Sequence, residues 1–164
     1  LAEIKEASQL MIDAKPYDRP TDEEIKTRLT SEQYQVTQKK GTEVPFINSY
    51  HTNEDEGIYV DIVTGEPLFS SKDKYISSCG WPSFAKGIDD NTLVYMEDRS
   101  LFNKRVEVLS RTGNTHLGHV FTNDPESPSS IRYCINSASL LFIPKEKMAD
   151  KGYGYLLSQF ENKE

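Results

Sequence analysis

The chain has 164 residues, with 19 Lys+Arg against 26 Asp+Glu and a formal charge of −7, and it is long enough to bury roughly 70% of its unfolded surface as one domain. That charge leaves no uniform basic surface for phosphates or anionic lipid, and no apolar stretch approaches the ~18 residues of a membrane span, so no nucleic acid or membrane partner is expected. Two cysteines cannot build a disulfide scaffold, and neither belongs to a Cys-x-x-Cys pair, which excludes a four-thiolate zinc site within the chain.

Residues 1–20 carry a short amphipathic pattern (Leu1, Ile4, Leu10, Met11) and end in Lys15-Pro16-Tyr17-Asp18-Arg19-Pro20, where two prolines favour an extended tether. They read as an N-terminal arm or interdomain linker, ahead of a domain over 21–154 and a tail over 155–164. No basic segment leads into an apolar stretch, so no signal peptide is recognisable. The compartment stays unknown, with the cytoplasm slightly favoured and an extracytoplasmic place compatible with membership of a larger fusion.

Thr21-Asp22-Glu23-Glu24 is a capping box that predicts a short helix through about Leu29, and Thr30-Ser31-Glu32-Gln33 repeats the signal for a second helix ending at Lys39-Lys40-Gly41. After Pro45 the texture becomes β-branched and aromatic. Ile58 to Val63, a Thr64-Gly65 turn and Leu68-Phe69 predict a hairpin. Further strand-like runs are Leu93 to Met96, Arg105 to Leu109, His119 to Phe121, Ile131 to Asn136 and Ser139 to Ile143, while 122–130 reads as an exposed loop. Any helix near Glu146 to Ala149 gives way to a polar tail. Short strands between Gly, Pro and Asn clusters indicate a mainly β fold, an antiparallel sandwich or barrel with short peripheral N-terminal helices.

The residues able to carry chemistry fall into three segments. Ser78-Cys79-Gly80-Trp81-Pro82-Ser83-Phe84 puts a thiol two residues from the only tryptophan, and His116-Leu117-Gly118-His119-Val120-Phe121 places two imidazoles three apart. In Arg132-Tyr133-Cys134-Ile135-Asn136, strand alternation sends Arg132, Cys134 and Asn136 to one face. Taken singly, each has a structural explanation: a strand cysteine is commonly a small buried hydrophobe, and a lone tryptophan is commonly core. Together they leave a reactive thiol and a structural one both open. Cys79, Cys134, His116 and His119 form a two-Cys, two-His ligand set, but the cysteines lack the ~2–4 residue separation of the usual zinc site.

At these segments the chain resembles the B-type peptide methionine sulfoxide reductases, which reduce the R epimer of methionine sulfoxide. The resemblance runs from about Leu29 to Gly154. It is carried in order by Gly41 to Phe46, Gly57 to Val60, Gly65 to Phe69, Cys79 to Phe84, His116 to Phe121 and Arg132 to Ser137. It implies two antiparallel β-sheets. It makes Cys134 the nucleophile that becomes a sulfenic acid as methionine leaves, and Cys79 the resolving thiol that condenses with it to a disulfide, which thioredoxin or a similar reductant would reopen. His116, His119 and Asn136 match active-site residues around the sulfoxide oxygen, and Trp81 matches the indole that packs on the substrate S-methyl. We add Phe121 and Arg132 to the expected substrate-binding residues, with Arg132 placed to lower the thiol pKa.

Family members with a structural zinc carry two Cys-x-x-Cys pairs, whereas Asp61 and Thr64 stand at the first here and Ser110 and Gly113 at the second. The expectation is a zinc-free member with no cofactor, acting in repair of oxidised proteins, on methionine-R-sulfoxide free or in proteins. The family also occurs fused to the A-type reductase, and the N-terminal arm is compatible with such a fusion. Two other classes remain in view: a non-catalytic small-ligand binding module using Trp81 and neighbouring aromatics as a cage, and a cysteine hydrolase using Cys134 with His119.

Overall fold

Both helix starts are built as the capping boxes imply, in a computed structural model that describes residues 12–99 and 104–161. The apolar residues of the N-terminal pattern, Leu1, Ile4, Leu10 and Met11, lie outside them. Thr21 caps α1 (Asp22–Arg28) and Thr30 caps α2 (Ser31–Lys39), each with the reciprocal side-chain bond from Glu24 or Gln33. Helix α2 stops at Lys40, which adopts the left-handed conformation as C-cap.

The remainder is two antiparallel sheets, as the resemblance implied. The first holds β1 (Gly57–Asp61) between β2 (Pro67–Ser70) and β9 (Leu140–Pro144). The second runs in the order β3-β4-β8-β7-β6-β5. Its strands are β3 (Lys74–Tyr75), β4 (Ser83–Phe84), β5 (Leu93–Asp98), β6 (Arg105–Ser110), β7 (His116–Phe121) and β8 (Arg132–Ile135). Strands β3 and β4 were not expected, since two residues show no alternation. β4 is a strand because it pairs with β8, through Ser83 opposite Cys134 and Phe84 opposite Tyr133, and β3 because it pairs in turn with β4. Strand β7 begins at His116 rather than His119, and the 122–130 stretch forms no regular element.

The sheets face each other across a core of Tyr59, Leu68, Phe69, Phe84, Leu93, Val108, Leu117, Tyr133, Ile135 and Leu140. Phe69 and Phe84 stack at 4.4 Å between ring centroids. A second cluster covers the other face of β1, where Ile58 and Val60 meet Ile143, Met148, Tyr153 and Leu156 together with Ile12 and Tyr17. Burial on both faces explains why β1 reads as an unbroken apolar run. It also changes the reading of both ends of the chain. Residues 12–17 dock on this cluster, fixed by Asp89 accepting from Ile12 N and by Arg111 donating to Ile12 O. The stretch read as a tail is a 3₁₀ helix over Gly154–Phe160 that buries Leu156, and in place of a helix near Glu146 there is a 3₁₀ turn at Lys145–Lys147. Tertiary burial, which local polarity does not reveal, orders both.

At the positions where the zinc-bearing pattern would put thiolates stands a buried hydrogen-bonded carboxylate. Asp61 accepts from Ser110 Oγ at 2.6 Å, from Thr115 Oγ1 at 2.9 Å and from Val63 N at 2.8 Å, and so ties the β1–β2 hairpin to the β6–β7 turn. Burial pushes its carboxyl pKa up, and the Ser110, Val63 and Thr115 donors pull it back. Gly113 in that turn has no room for a side chain, since a Cβ would fall 2.6 Å from Asp61 Oδ2. Removing the carboxylate strands these donors in the interior. We expect Asp61→Ala to cost about 3 kcal/mol, read as a lower urea midpoint at unchanged m-value; an unmoved midpoint would contradict the tie.

Candidate active site

The six-stranded sheet places the candidate residues by register. Directly opposed residues share a face, and Ser83 of β4, Cys134 of β8, His119 of β7 and Glu107 of β6 are successive partners across the sheet. Alternation along β8 then works as the sequence implied: Tyr133 and Ile135 enter the core, while Arg132 and Cys134 line a cavity of about 120 Å³. Gly118 allows β7 and β8 this close, because a Cβ there would sit 2.0 Å from the Cys134 carbonyl oxygen. On β4's side, Gly80 at φ +89° turns the chain so that both Cys79 and Trp81 face the cavity.

Cys79 Sγ lies 3.5 Å from Cys134 Sγ, and both are free thiols. No loop movement is needed for the sulfurs to meet. Cys79 also contacts Ser83 Oγ at 3.3 Å and donates to the Trp81 carbonyl at 3.6 Å, while its amide donates to Ser77 Oγ. The two thiols therefore ionise as a pair. The Cys79 thiol is held well below its ordinary range because Cys134 S–H donates to it, helped by Ser77 and Ser83. The Cys134 thiol is pushed up by giving that hydrogen bond, by burial and by the neighbouring negative sulfur. The expected pull of Arg132 on Cys134 is present and favours the thiolate, but those three effects outweigh it.

The other expected residues divide into those on the cavity and one behind it. Trp81, His119, Phe121, Arg132 and Asn136 line it with the two cysteines. The Arg132 guanidinium carbon stands 4.6 Å over the centre of the Phe121 ring, a cation–π contact. Trp81 Nε1 donates to the Glu43 carbonyl at 3.0 Å, which fixes the indole. Asn136 is held at both ends of its amide, with Oδ1 accepting from Glu43 N and Nδ2 donating to Leu117 O. His116 does not line the cavity. It is buried, with Nδ1 2.7 Å from Glu107 Oε2, and its ring meets that of His119 edge-on at 5.7 Å. Burial lowers its pKa below the usual histidine range, against the pull of Glu107.

Sequence reasoning missed Thr42, Arg105 and Gly118, which complete the lining, and the carboxylates behind the imidazoles. Asp98 Oδ2 lies 2.8 Å from His119 Nε2 and 3.1 Å from an Arg105 nitrogen. Glu107 bonds His116 and pairs with Lys40 at 3.2 Å. Each imidazole is thus oriented by a carboxylate that is itself paired with a cation. The available signal was Glu107 sitting between Val106 and Val108 in a strand, which looks the same as a solvent-facing position.

A site of this kind supplies a polarised thiol pair, an oriented imidazole, an aromatic wall and a guanidinium. Among known proteins, the chain matches the SelR domain over residues 29–144. It is similar to the peptide methionine sulfoxide reductase MsrA/MsrB of Vibrio cholerae serotype O1, 56% identical over 147 residues covering 90% of this chain and 39% of that relative. The chain thus spans well under half the length of this relative.

The paired ionisation has a direct readout. In the unsubstituted chain the first thiolate persists to a pH below the ordinary thiol range, since its folded-state pKa is lowered by the Cys134 donor. In Cys134→Ala that donor is gone, so thiolate absorbance against pH should show the Cys79 midpoint rising toward ~8.5. A midpoint equal to that of the unsubstituted chain would contradict the pairing.

Proposed function

The chain belongs to the SelR domain family, and on that premise we propose that it reduces the R epimer of methionine sulfoxide to methionine through its two thiols. The observation that carries this reading is the 3.5 Å separation of Cys79 and Cys134 sulfurs in a cavity walled by Trp81 and His119. A ligand cage or a cysteine hydrolase has no use for a second sulfur at that distance.

Cys134 attacks the sulfoxide sulfur. The oxygen passes to Cys134, giving a sulfenic acid, and methionine leaves with the electron pair that had been the thiol's. His119, oriented by Asp98, donates toward the sulfoxide oxygen as it gains negative charge. Before attack the shared proton moves from the Cys134 sulfur to Cys79, and Arg132 supports the thiolate left on Cys134. Trp81, its N–H already committed to Glu43, presents its ring to the S-methyl group. Asn136 holds the cavity wall by tying Glu43 to Leu117, and His116 shapes the site from behind by packing on His119. Cys79 then closes the disulfide, and a thioredoxin-type dithiol reopens it. Asp61, Ser110 and Gly113 fill the places of zinc-binding thiolates, so the fold is held without metal by the Asp61 network. Because the similar Vibrio protein is named as an A/B reductase and extends well beyond the matched region, we further propose that an A-type reductase domain accompanies this one in the intact protein.

Substituting each sulfur separates the two steps. Cys134→Ser should release no methionine, whereas Cys79→Ser should release one methionine per chain, stop, and leave a sulfenic acid that dimedone traps. Continued turnover by Cys134→Ser would refute the assignment.

A further inference from the structure

We propose that Ser83 positions Cys79 for the second step, donating its hydroxyl to the Cys79 sulfur as that sulfur attacks the oxidised Cys134; this rests on the reading just given. Ser83 is fully buried on β4, directly opposite Cys134 in the ladder. Its Oγ lies 3.3 Å from Cys79 Sγ and 3.0 Å from the Trp81 carbonyl oxygen. A serine hydroxyl has one hydrogen and free rotation about its C–O bond, so these two acceptors compete for it. While Cys79 carries S–H, that thiol and the Ser83 hydroxyl both point at the Trp81 carbonyl. Once Cys79 is a thiolate, the stronger, charged acceptor takes the Ser83 proton.

The need for this donor arises at a particular moment. In the resting pair the Cys134 S–H is the main support of the Cys79 thiolate. When Cys134 accepts the sulfoxide oxygen, that S–H no longer exists. The Cys79 thiolate, as it forms, must then be held by what remains around it: Ser77, whose Oγ also accepts from the Cys79 amide, and Ser83, whose Oγ lies 3.3 Å from the sulfur on the strand paired with Cys134. Cys79 enters this step carrying the shared proton it took before the first attack and gives it up to the leaving hydroxyl as it attacks, so Cys134–S–OH plus Cys79–S–H gives the Cys134–Cys79 disulfide and water. The Cys134 sulfur gains and the Cys79 sulfur gives up electron density as the S–S bond forms and the S–O bond breaks, with the hydroxyl leaving as water. The disulfide is a poor acceptor, and the Ser83 hydroxyl returns to Trp81. The charged groups around Cys79 do not replace it: Glu126 is committed to Ser78, Glu43 accepts from the backbone of Ser137 and Ala138, and Arg132 lies against Phe121. His119 and Arg105, also on the cavity, bond Asp98, whereas the hydrogen-bond partners of the Cys79 sulfur are the Trp81 carbonyl, Ser83 and Cys134.

Two measurements test this. In a reductant-free single turnover, methionine release and thiol loss are followed together, and Ser83→Ala should lengthen the delay between them about tenfold, as expected for one charge-assisted hydrogen bond. Thiol loss that keeps the unsubstituted chain's pace behind methionine would overturn the proposal; failure of the unsubstituted chain to release methionine would instead overturn the functional reading. Independently of turnover, thiolate absorbance of Cys79 in a Cys134→Ala background should show its midpoint rising by about one pH unit on adding Ser83→Ala. An unmoved midpoint would overturn the role of Ser83 even if the protein reduces nothing.

Discussion

The close zipping of β7 against β8 is the constraint on which the site depends. Gly118 lets the two strands approach so that the Cys134 carbonyl lies where a side chain would otherwise be, and the same ladder sets His119 opposite Cys134 and Glu107 opposite His119. Strand pairing thereby does what a flexible loop cannot: it fixes a thiol and an imidazole on one face at a spacing set by the sheet. Cys79 arrives from outside the ladder, and the positive φ of Gly80 with the Ser83 pairing brings its sulfur within 3.5 Å of Cys134.

That ladder is supported from behind by the second sheet. Aromatic residues of both sheets interlock, with Phe69 of β2 against Phe84 of β4 and Tyr133 of β8. At the far end, the Asp61 network joins the hairpin to the β6–β7 turn with hydrogen bonds. A carboxylate suits that junction, since it accepts from several donors at once. Arg111 adds a second tie, bonding Glu66 of the hairpin and the Ile12 carbonyl of the N-terminal segment.

Much of this was legible in the sequence where a local rule applied. Capping boxes located both helices, and β-branched and aromatic runs located β1, β5, β6, β8 and β9 to within a few residues. The face shared by Arg132 and Cys134 followed from the strand period. What escaped was set by tertiary contact. Lys74-Tyr75 and Ser83-Phe84 are too short to show a period, and Leu156 and Ile12 are buried only because β1 has a second apolar face. The carboxylates behind the imidazoles escaped for a related reason: in the sequence Asp98 and Glu107 look like water-facing strand residues, and only the fold sets them against His119 and His116. His116 shares a sequence segment with His119 but stands behind it, where a register shift near Leu109 breaks the simple alternation.

The account turns on two thiols acting in sequence on one sulfoxide epimer. The most direct test is a reductant-free single turnover of the unsubstituted chain on separated R and S epimers, counting methionine formed and thiols lost. The account predicts about one methionine per chain from the R epimer alone, with both thiols consumed as a disulfide. Methionine from neither epimer, with both thiols intact, would contradict it.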